Sequence, residues 1–344
     1  MMRIILIFLT FLFVISGCTN LFQSSSETAW IFPEAMAPHR EFKTEWWYQT
    51  GLLNSGKFGY EITFFRMYDP ESSRWPHFLE LPVSELWVIH LMIHDYDSGK
   101  RHFREWLIFP PLLFWGSGVF TCQDRLCLKY ESPNLKATWT GDQKEMKVEY
   151  QDENVKLKLD LRSNKKPVLH NGGIVPMVEG NSYYYSITDV EVSGTLAFQG
   201  KNYEVQGSCW IDQQWGNFDA KPWEWYSIRL DNGVEIMLYS FPGRNVGFGT
   251  VVYRSGETQS LTISDFQMTF DGTSTDLEGD EIRIPTPGWV SIRKPDAKLK
   301  IKAKSPEQLN PSKYTPQYWE GLCTVEGTFN GIEVRGWAFY ETWR

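Results

Sequence analysis

A carboxyl group stands among tryptophans at Asp212, within residues 210–216, which read Trp-Ile-Asp-Gln-Gln-Trp-Gly. Trp210 is two positions before this carboxyl group, and Trp215 is three positions after it. Burial beside apolar rings disfavours the ionised carboxylate and raises its pKa, so such a group can donate a proton near neutral pH. The faces of tryptophan and tyrosine rings stabilise the positive charge that protonation of an alkene creates. This spacing is therefore suited to acid-promoted hydration, cyclisation or isomerisation of an apolar substrate.

Three glutamates also adjoin a tryptophan, and they are Glu45, Glu224 and Glu320. Each is a second candidate proton donor for the same physical reason. The alternative for each is an ordinary structural role, in which the carboxylate pairs with an arginine or accepts hydrogen bonds from backbone amides. The arginines available for such pairing are Arg40, Arg66 and Arg229.

Aromatic residues are abundant, since 16 Trp, 16 Tyr and 22 Phe make up 16% of the 344-residue chain. Their rings supply large apolar area at small entropic cost, and Trp and Tyr also carry a polar group. Two interpretations are open: the rings fill two cores, or a subset of them lines a pocket for a hydrophobic molecule. The residues that we expect at such a pocket are Glu45, Trp46, Trp47, Tyr48, Tyr184, Trp210, Trp225 and Trp319.

The segments that position these residues are predicted to be β-strands. Residues 155–161 and 299–302 alternate apolar and polar side chains, which is typical of a strand with one buried face. Clusters of Asn, Asp, Ser and Gly at 54–56, 171–173 and 231–233 tolerate the positive φ of tight hairpins. Many short strands with frequent turns predict an all-β fold of antiparallel sandwiches or barrels, and a closed barrel can hold one small ligand.

Part of the sequence is repeated. Residues 185–195 align without a gap with residues 318–328, and each copy continues to a Val-x-Gly pattern, at 205–207 and at 334–336. Glu, Trp and Tyr also cluster at 45–48 and again at 224–226. These repeats predict an internal duplication, with one domain at 31–216 and a second at 217–344. The alternative is that unrelated β-hairpins reuse Val, Gly and Thr.

The first residues predict export. A basic start is followed by an apolar run at 4–15, which is too short to span a bilayer comfortably, and small residues precede Cys18. This arrangement fits a signal peptide at 1–17, and it resembles the lipobox of bacterial lipoproteins, which implies a lipid on Cys18 and a tether at 18–30. Thr19 is not the aspartate that retains many lipoproteins at the inner membrane, so we expect the periplasmic face of a Gram-negative outer membrane. An ordinary signal peptide with an incidental cysteine is the alternative.

Charge and spacing exclude several functional classes. Removing residues 1–17, which contain one arginine, leaves 33 basic and 42 acidic residues, a net charge of −9, without a basic cluster that would suit nucleic acid. His90 and His94 on one strand would lie about 13 Å apart, too far to share a metal ion. Phosphate loops, dinucleotide fingerprints and serine-hydrolase elbows are not evident. We therefore expect no metal, no cofactor and no nucleic-acid partner.

Four cysteines follow Cys18 in the chain. In an oxidising compartment Cys122 and Cys127 could close a disulfide across a hairpin tip, and two free thiols are the alternative. Cys209 and Cys323 lie in different predicted domains, and we interpret them as free buried thiols.

Several motifs occur in an order that is known from one family. They are found at 45–48, 166–170, 183–186, 192–195, 210–216 and 318–321. Over about residues 31–344 the chain resembles the hydroxyneurosporene synthase (carotenoid 1,2-hydratase)-like family, whose AttH-type members have a double lipocalin-like fold. This resemblance implies two lipocalin-like antiparallel β-barrels. The wider family includes hydratases of carotenoid double bonds, related cyclases and members without a known activity, so the resemblance does not fix a reaction.

The resemblance also implies catalytic candidates, and this chain departs from the pattern at two of them. The carotenoid hydratases carry a histidine where this chain has Gln213, and a Tyr-x-Asp motif corresponds to residues 239–241, where the last residue is Phe241. Glutamine cannot exchange protons near neutral pH, and phenylalanine removes a carboxylate. The candidates are therefore Asp212, Gln213, Trp215 and Tyr239.

Two hypotheses of function remain. The first is a membrane-anchored lipoprotein that binds a hydrophobic small molecule, such as an isoprenoid, polyketide or lipid, in an aromatic-lined barrel cavity. The second is an enzyme, a hydratase (hydro-lyase) or a cyclase or isomerase, that acts on an apolar substrate through a carboxylic acid in that cavity. The replaced histidine and aspartate favour the binding hypothesis.

Overall fold

The computed structural model describes residues 30–68, 85–109 and 118–343, and 67% of these residues are in β-strands. Within this part of the chain the strands form two curled antiparallel sheets, each of them half a barrel, and there is no α-helix. The predicted all-β, double lipocalin-like fold is confirmed. The predicted signal peptide at 1–17, the lipidation at Cys18 and nearly all of the tether at 18–30 lie outside the described residues.

The first half-barrel is preceded by a short 3-10 helix at Glu34–Met36. Its strands are β1 (Thr44–Leu53), β2 (Phe58–Tyr68), β3 (Glu85–Asp95), β4 (Lys100–Ile108), β5 (Phe120–Thr121), β6 (Leu126–Glu131), β7 (Lys136–Gly141), β8 (Glu145–Gln151), β9 (Val155–Ser163), β10 (Val168–Pro176), β11 (Asn181–Phe198) and β12 (Lys201–Gly216).

The second half-barrel follows after a short connection. Its strands are β13 (Glu224–Leu230), β14 (Glu235–Ser240), β15 (Gly247–Val252), β16 (Thr258–Thr262), β17 (Phe266–Thr275), β18 (Glu281–Ile292), β19 (Ala297–Ala303), β20 (Leu309–Asn310), β21 (Tyr318–Phe329) and β22 (Ile332–Trp343).

The two sheets share one strand order over nine strands, as an internal duplication requires, and the first sheet continues with β6 and β5. The first runs β4-β3-β2-β1-β12-β11-β9-β8-β7-β6-β5, and the second runs β16-β15-β14-β13-β22-β21-β19-β18-β17. A side strand pairs with the corresponding long strand in each sheet, β10 with β11 and β20 with β21. The two repeat copies found in the sequence lie on β11 with β12 and on β21 with β22, which are equivalent hairpins.

The repeated Val-x-Gly pattern has a packing reason. A Cβ atom added at Gly207 would lie 1.9 Å from the carbonyl oxygen of Leu52, and one added at Gly336 would lie 1.9 Å from that of Arg229. Any side chain would therefore push the neighbouring strand away. Because Gly207 and Gly336 are 129 positions apart, equivalent residues of β12 and β22 differ by this number.

Each half-barrel encloses its own apolar core, and a third buried cluster joins the two. Trp47 and Trp215 belong to the first core, and Trp319 belongs to the second. Tyr184 and Trp225 belong to the third cluster, where the outer faces of the two sheets meet. Side chains therefore fill much of both interiors, and a cavity lined mainly by aromatic side chains remains between the sheets.

The described residues also locate the cysteines. Cys122, Cys127, Cys209 and Cys323 are all free thiols, and the last two are buried, as the sequence predicted for them. No helix in the described ranges is long and apolar enough to cross a membrane.

Candidate functional site

A cavity lies between the two half-barrels, with about 570 Å³ of space free of protein atoms when the solvent at its open mouth is included. We refer to it as the interface cavity. Nine of its fifteen lining residues are aromatic, and its charged lining residues are all acidic. The lining residues are Trp46, Tyr48, Glu61, Phe65, Tyr184, Asp212, Gln214, Trp223, Trp225, Tyr239, Thr315, Pro316, Tyr318, Glu341 and Trp343.

The structure brings six of the residues expected at a site to this cavity. Asp212 and Tyr239 line it together with four expected aromatic residues, which are Trp46, Tyr48, Tyr184 and Trp225. Trp210 lies just behind the wall, where its indole nitrogen donates to Asp212 over 2.6 Å. The cavity is therefore lined with aromatic side chains as expected, but it lies between the half-barrels and not inside one of them.

The other expected residues point away from the cavity because side chains alternate along a strand. Gln213 and Trp215 alternate along β12 with the cavity-lining residues Asp212 and Gln214, and their side chains enter the first half-barrel. Glu45 and Trp47 do the same on β1, and Trp319 enters the second half-barrel. These five residues, Glu45, Trp47, Gln213, Trp215 and Trp319, are structural in this arrangement.

Glu45 is held by a closed set of partners inside the first half-barrel. It accepts hydrogen bonds from the Nδ1 and backbone nitrogen atoms of His39, over 2.8 and 2.9 Å, and from Nε2 of Gln213 over 2.9 Å. The oxygen that accepts from the backbone nitrogen of His39 also lies 4.0 Å from Nη1 of Arg66. Two roles were considered for Glu45, a proton donor and a structural partner of an arginine or a backbone amide. The structure supports the structural role.

Asp212 accepts hydrogen bonds from three side chains. Tyr184 Oη donates over 2.7 Å, Trp210 Nε1 over 2.6 Å, and the hydroxyl of Ser186 completes the set. Burial raises the pKa of Asp212 to about 7, and these three hydrogen bonds oppose that shift because they favour the carboxylate. Asp212 therefore exchanges a proton in the physiological range while its orientation stays fixed.

Ser186 is itself positioned by a buried histidine. Nε2 of His170 lies 2.6 Å from the Ser186 hydroxyl, and Nδ1 lies 2.8 Å from the hydroxyl of Thr250 on β15. Burial lowers the pKa of His170 to about 3, so its ring is neutral near pH 7. Because Ser186 donates to Asp212, His170 donates through Nε2 and accepts through Nδ1. This chain of hydrogen bonds links the second half-barrel to the orientation of Asp212.

Glu341 is the counterpart of Asp212 in the second half of the chain, 129 positions later. It lines the same cavity and accepts a hydrogen bond from Trp223 Nε1 over 2.9 Å. Burial, with the nearby charge of Glu61, raises the pKa of Glu341 to about 8. Glu320 lies directly opposite Glu341 across the β21–β22 pair, and burial raises the pKa of Glu320 well above its usual range.

Glu61 is the third acidic residue in the wall. It accepts hydrogen bonds from Tyr318 Oη over 2.7 Å, from Thr63 over 2.8 Å and from Asn310 Nδ2 over 2.9 Å. Neither Glu61 nor Glu341 was expected from the sequence. Glu341 could have been found by extending the repeat alignment from Gly336 to the end of the chain, whereas Glu61 has no comparable signal.

Rings at equivalent positions of the two halves meet across the cavity. Trp46 stacks on Trp223 with a centroid distance of 6.1 Å and an interplanar angle of 22°, and Tyr48 meets Trp225 edge to face at 5.4 Å. Tyr48 pairs with Asp212 across β1 and β12, just as Trp225 pairs with Glu341 across β13 and β22. The cavity therefore has a proton-exchanging acid on each of two similar aromatic walls.

Comparisons with known proteins agree with this architecture. The family model described as AttH-like matches residues 23–342. A crystal structure of an AttH protein from Nitrosomonas europaea is 22% identical with a TM-score of 0.72, covering 90% of this chain and 96% of that one. No curated protein matches the chain significantly.

Two further solved structures share the fold at lower identity. Kievitone hydratase from Nectria haematococca is 15% identical with a TM-score of 0.67, covering 90% of this chain and 91% of that one. CghA, solved with Sch210972, is 12% identical with a TM-score of 0.53, covering 88% of each chain.

Proposed function

This chain belongs to the AttH-like family, and from that premise we propose that it binds a hydrophobic, unsaturated small molecule in the interface cavity and protonates it, in a hydration or cyclisation reaction. One observation carries the proposal. Asp212 and Glu341 stand on the two walls of one aromatic cavity, and the pKa of each carboxyl group lies close to neutral. The name of kievitone hydratase, a structural neighbour, supports the same class of reaction.

The proposed chemistry uses both carboxyl groups. The protonated one transfers its proton to one carbon of an alkene, whose π electrons form the new C–H bond and leave the neighbouring carbon positive. The faces of Trp46, Trp223 and Trp225 and the resulting carboxylate stabilise this cation. Water then adds through its oxygen, and a carboxylate takes the proton that the water loses. A second double bond of the substrate that attacks in place of water forms a ring and leaves a new cation, which becomes neutral when a carboxylate removes a proton from the adjacent carbon.

This route differs from that of the carotenoid hydratases that the chain resembles. Gln213 lies inside the first half-barrel, and Phe241 packs against Tyr239 with a ring-centroid distance of 5.2 Å. Neither residue supplies a proton. The acid in this chain is therefore assigned to Asp212 and Glu341.

Isotope incorporation tests the proposal. Every strand and every cavity residue lies between residues 30 and 343, so a form lacking residues 1–18 contains the whole described fold. Native mass spectrometry with organic extraction would identify a copurifying molecule or a binder from a panel of carotenoids, quinones and polyketides. This molecule is then incubated with the protein in D₂O, and protonation of an alkene leaves a C–D bond in the recovered ligand or product.

Matched variants test whether deuterium incorporation depends on Asp212 and Glu341. Asp212→Asn and Glu341→Gln should each lower deuterium incorporation by a factor of about 100 or more, since general acids contribute about 10²–10⁴. Glu326→Gln on the exposed face of β21 is the control and should incorporate deuterium as the wild type does. A ligand that is bound but takes up no deuterium would refute catalysis and leave the carrier hypothesis. A protein that binds nothing in the panel would count against both.

The replaced residues give the carrier hypothesis its specific support. A carrier needs the aromatic cavity but not the histidine and aspartate that Gln213 and Phe241 replace. In that case the extracted ligand would be recovered chemically unchanged after incubation.

We also propose that the protein acts at a membrane surface, tethered through a lipid on Cys18. The support is the sequence of residues 1–18. Fractionation of cells that express the wild type and Cys18→Ser tests this location. The wild type should sediment with the outer membrane, and the variant should be found in the soluble periplasmic fraction; equal distribution would exclude the anchor.

A further inference from the structure

The acidic groups around the interface cavity lack countercharges. Asp212, Glu61 and Glu341 line it, and Glu320 lies directly opposite Glu341 on the neighbouring strand. None of these four carboxyl groups forms an ion pair with a residue in the described part of the chain, and the lining contains no lysine or arginine. Burying a carboxylate without a countercharge is costly, and burial raises the pKa of Asp212, Glu320 and Glu341.

Nearby basic residues offset little of this negative charge. The guanidinium of Arg101 donates to the carbonyl oxygen of Leu309 over 2.8 Å and to the side chain of Asn310, and it acts on Glu61 only at longer range. His90 contacts Glu105 through Nε2 at 3.0 Å and the Tyr318 hydroxyl through Nδ1 at 2.7 Å, so neither ring nitrogen contacts a carboxyl group of the cavity. At most one positive charge therefore serves four carboxyl groups.

The remaining ionisable groups that face the cavity are tyrosines, one from each of four strands. They are Tyr48 on β1, Tyr184 on β11, Tyr239 on β14 and Tyr318 on β21, and burial raises the pKa of each well above its usual value. They stay neutral below pH 9. Only the carboxyl groups can change the charge of the cavity between pH 6 and 8.5.

Tyr239 also has an unused hydrogen-bonding group. It is 2% exposed, lines the cavity, and its hydroxyl has no hydrogen-bond partner among the described residues. Burial, with the charges of Glu341 and Asp212, raises the pKa of this hydroxyl, and all three residues line the same cavity. A buried hydroxyl without a protein partner needs one from water or from a bound molecule in the cavity.

The walls are suited to positive charge as well as to apolar groups. Four tryptophans, which are the strongest cation–π partners, line the cavity: Trp46, Trp223, Trp225 and Trp343. Aromatic faces combined with carboxylates are the features by which proteins recognise organic ammonium groups.

We propose that the interface cavity binds an organic ammonium ion that carries an aromatic or other apolar group, with the cation held between Asp212 and Glu341 and against the tryptophan faces. The inference uses the cavity of the proposed function, but it does not depend on the reaction. Such a ligand resembles the cation that protonation of an alkene would form, and it supplies the countercharge that the four carboxyl groups lack.

A pair of probes that differ only in charge tests this inference. Benzyltrimethylammonium carries a permanent charge, and neopentylbenzene has the same shape with carbon in place of nitrogen. Binding to the form lacking residues 1–18 is followed by tryptophan fluorescence and calorimetry. At pH 8.5 we expect the cation to bind roughly tenfold or more tightly than its neutral analogue.

The pH dependence gives a second readout. Cation binding should tighten by roughly tenfold or more from pH 6 to pH 8.5, because the two acids that titrate near pH 7 and 8 become carboxylates. Calorimetry in buffers of different ionisation enthalpy should show about one proton released per cation bound near pH 7. Binding of neopentylbenzene should not depend on pH in this way.

Variants separate this inference from the proposed reaction. Glu341→Gln and Asp212→Asn should each weaken binding of benzyltrimethylammonium by about tenfold. Neopentylbenzene should bind each variant as it binds the wild type, which would show that the cavity is intact. The control Glu326→Gln should leave the affinity for both probes unchanged. Equal affinities for the two probes, or cation binding that is independent of pH, would overturn the inference. Cation binding without deuterium incorporation into any alkene would refute the proposed reaction and leave the inference standing.

Discussion

Asp212 and Glu341 occupy equivalent positions of the two repeats, 129 residues apart, and face the same cavity from opposite half-barrels. Each pairs across a strand with an aromatic residue of the cavity wall, Asp212 with Tyr48 and Glu341 with Trp225. Their surroundings differ, because Asp212 accepts three side-chain hydrogen bonds, whereas Glu341 accepts one from Trp223 and stands beside Glu61 and Glu320. Asp212 is therefore the more stable carboxylate, and Glu341 is the more stable neutral acid.

The stability of the protein should depend on pH through Asp212. Burial raises the pKa of Asp212 to about 7, so the fold favours the neutral carboxyl group. The stability that this preference contributes is fully present below the unfolded-state pKa of about 4, and it is lost as the pH rises to about 7. Asp212→Asn removes this titration. The free energy of unfolding of the variant, minus that of the wild type, should increase by on the order of 4 kcal/mol between pH 4 and pH 8.

Urea unfolding at several pH values measures this difference. Asp160→Asn is the control, since Asp160 is 67% exposed and pairs only with Lys147 at 3.3 Å. Its difference from the wild type should change by less than about 1 kcal/mol over the same range. A flat profile for Asp212→Asn would show that this carboxyl group is ionised throughout.

Two adjacent tryptophans should separate ligand binding from stability. Trp47 is 2% exposed and packs against Trp87 in the first core, so Trp47→Ala should lower the free energy of unfolding by about 3–5 kcal/mol. Trp46 is half-buried at the cavity, so Trp46→Ala should cost less than about 2 kcal/mol but weaken ligand binding. Denaturant unfolding and fluorescence titration of both variants check this, and the reverse ranking would contradict the assigned faces of β1.

Replacing Gly207 should break the pairing of β1 with β12. Gly207→Ala puts a methyl group 1.9 Å from the carbonyl oxygen of Leu52, and we expect a loss of about 3 kcal/mol or more in the free energy of unfolding. Gly256→Ala is the matched control. Gly256 has a φ of 85° but open space around it, so this variant should lose only about 1–2 kcal/mol. Equal losses would mean that β1 moves to accommodate the added methyl group, so that the close approach at Gly207 costs no more than the positive φ at Gly256.

A buried ion pair joins the two half-barrels. Removing one partner should lower the free energy of unfolding more than removing both. Lys165 donates to Glu235 over 2.6 Å and to the carbonyl oxygens of Gly233 and Tyr253. Lys165→Met leaves a buried carboxylate without its cation and should cost about 3–5 kcal/mol. The double variant Lys165→Met/Glu235→Leu should recover most of this loss. Thermal or urea unfolding of the three proteins measures the coupling, and simple additivity would exclude it.

The duplication could be predicted from the sequence because the close approach at Gly207 and Gly336 leaves a readable pattern. One detail could not. The sequence alignment pairs Tyr185 with Tyr318, but the register of β11 shifts between Ile187 and Val190. Tyr184 therefore takes the position of Tyr318, and both hydroxyls donate to a cavity carboxylate. Such a shift depends on how the strands meet, which a single sequence does not encode locally.

The site was harder to predict than the fold for a related reason. Residues 45–48 and 210–215 carry both aromatic and polar side chains on each face of their strands, so no alternation of polar and apolar residues reveals which face meets the other half-barrel. The sequence therefore placed Glu45 and Asp212 in one candidate group, although the structure directs them to opposite sides of the same sheet.

The position of the cavity between two copies of one fold has a consequence for how its chemistry can change. Two identical subunits related by a two-fold axis would have to present the same acid on both walls, and every substitution would appear twice. Here both walls belong to one continuous chain, so each can be altered alone. Asp212 on one wall and Glu341 on the other already differ in length and in hydrogen bonding, and a single base change in the gene can make the pocket still more asymmetric.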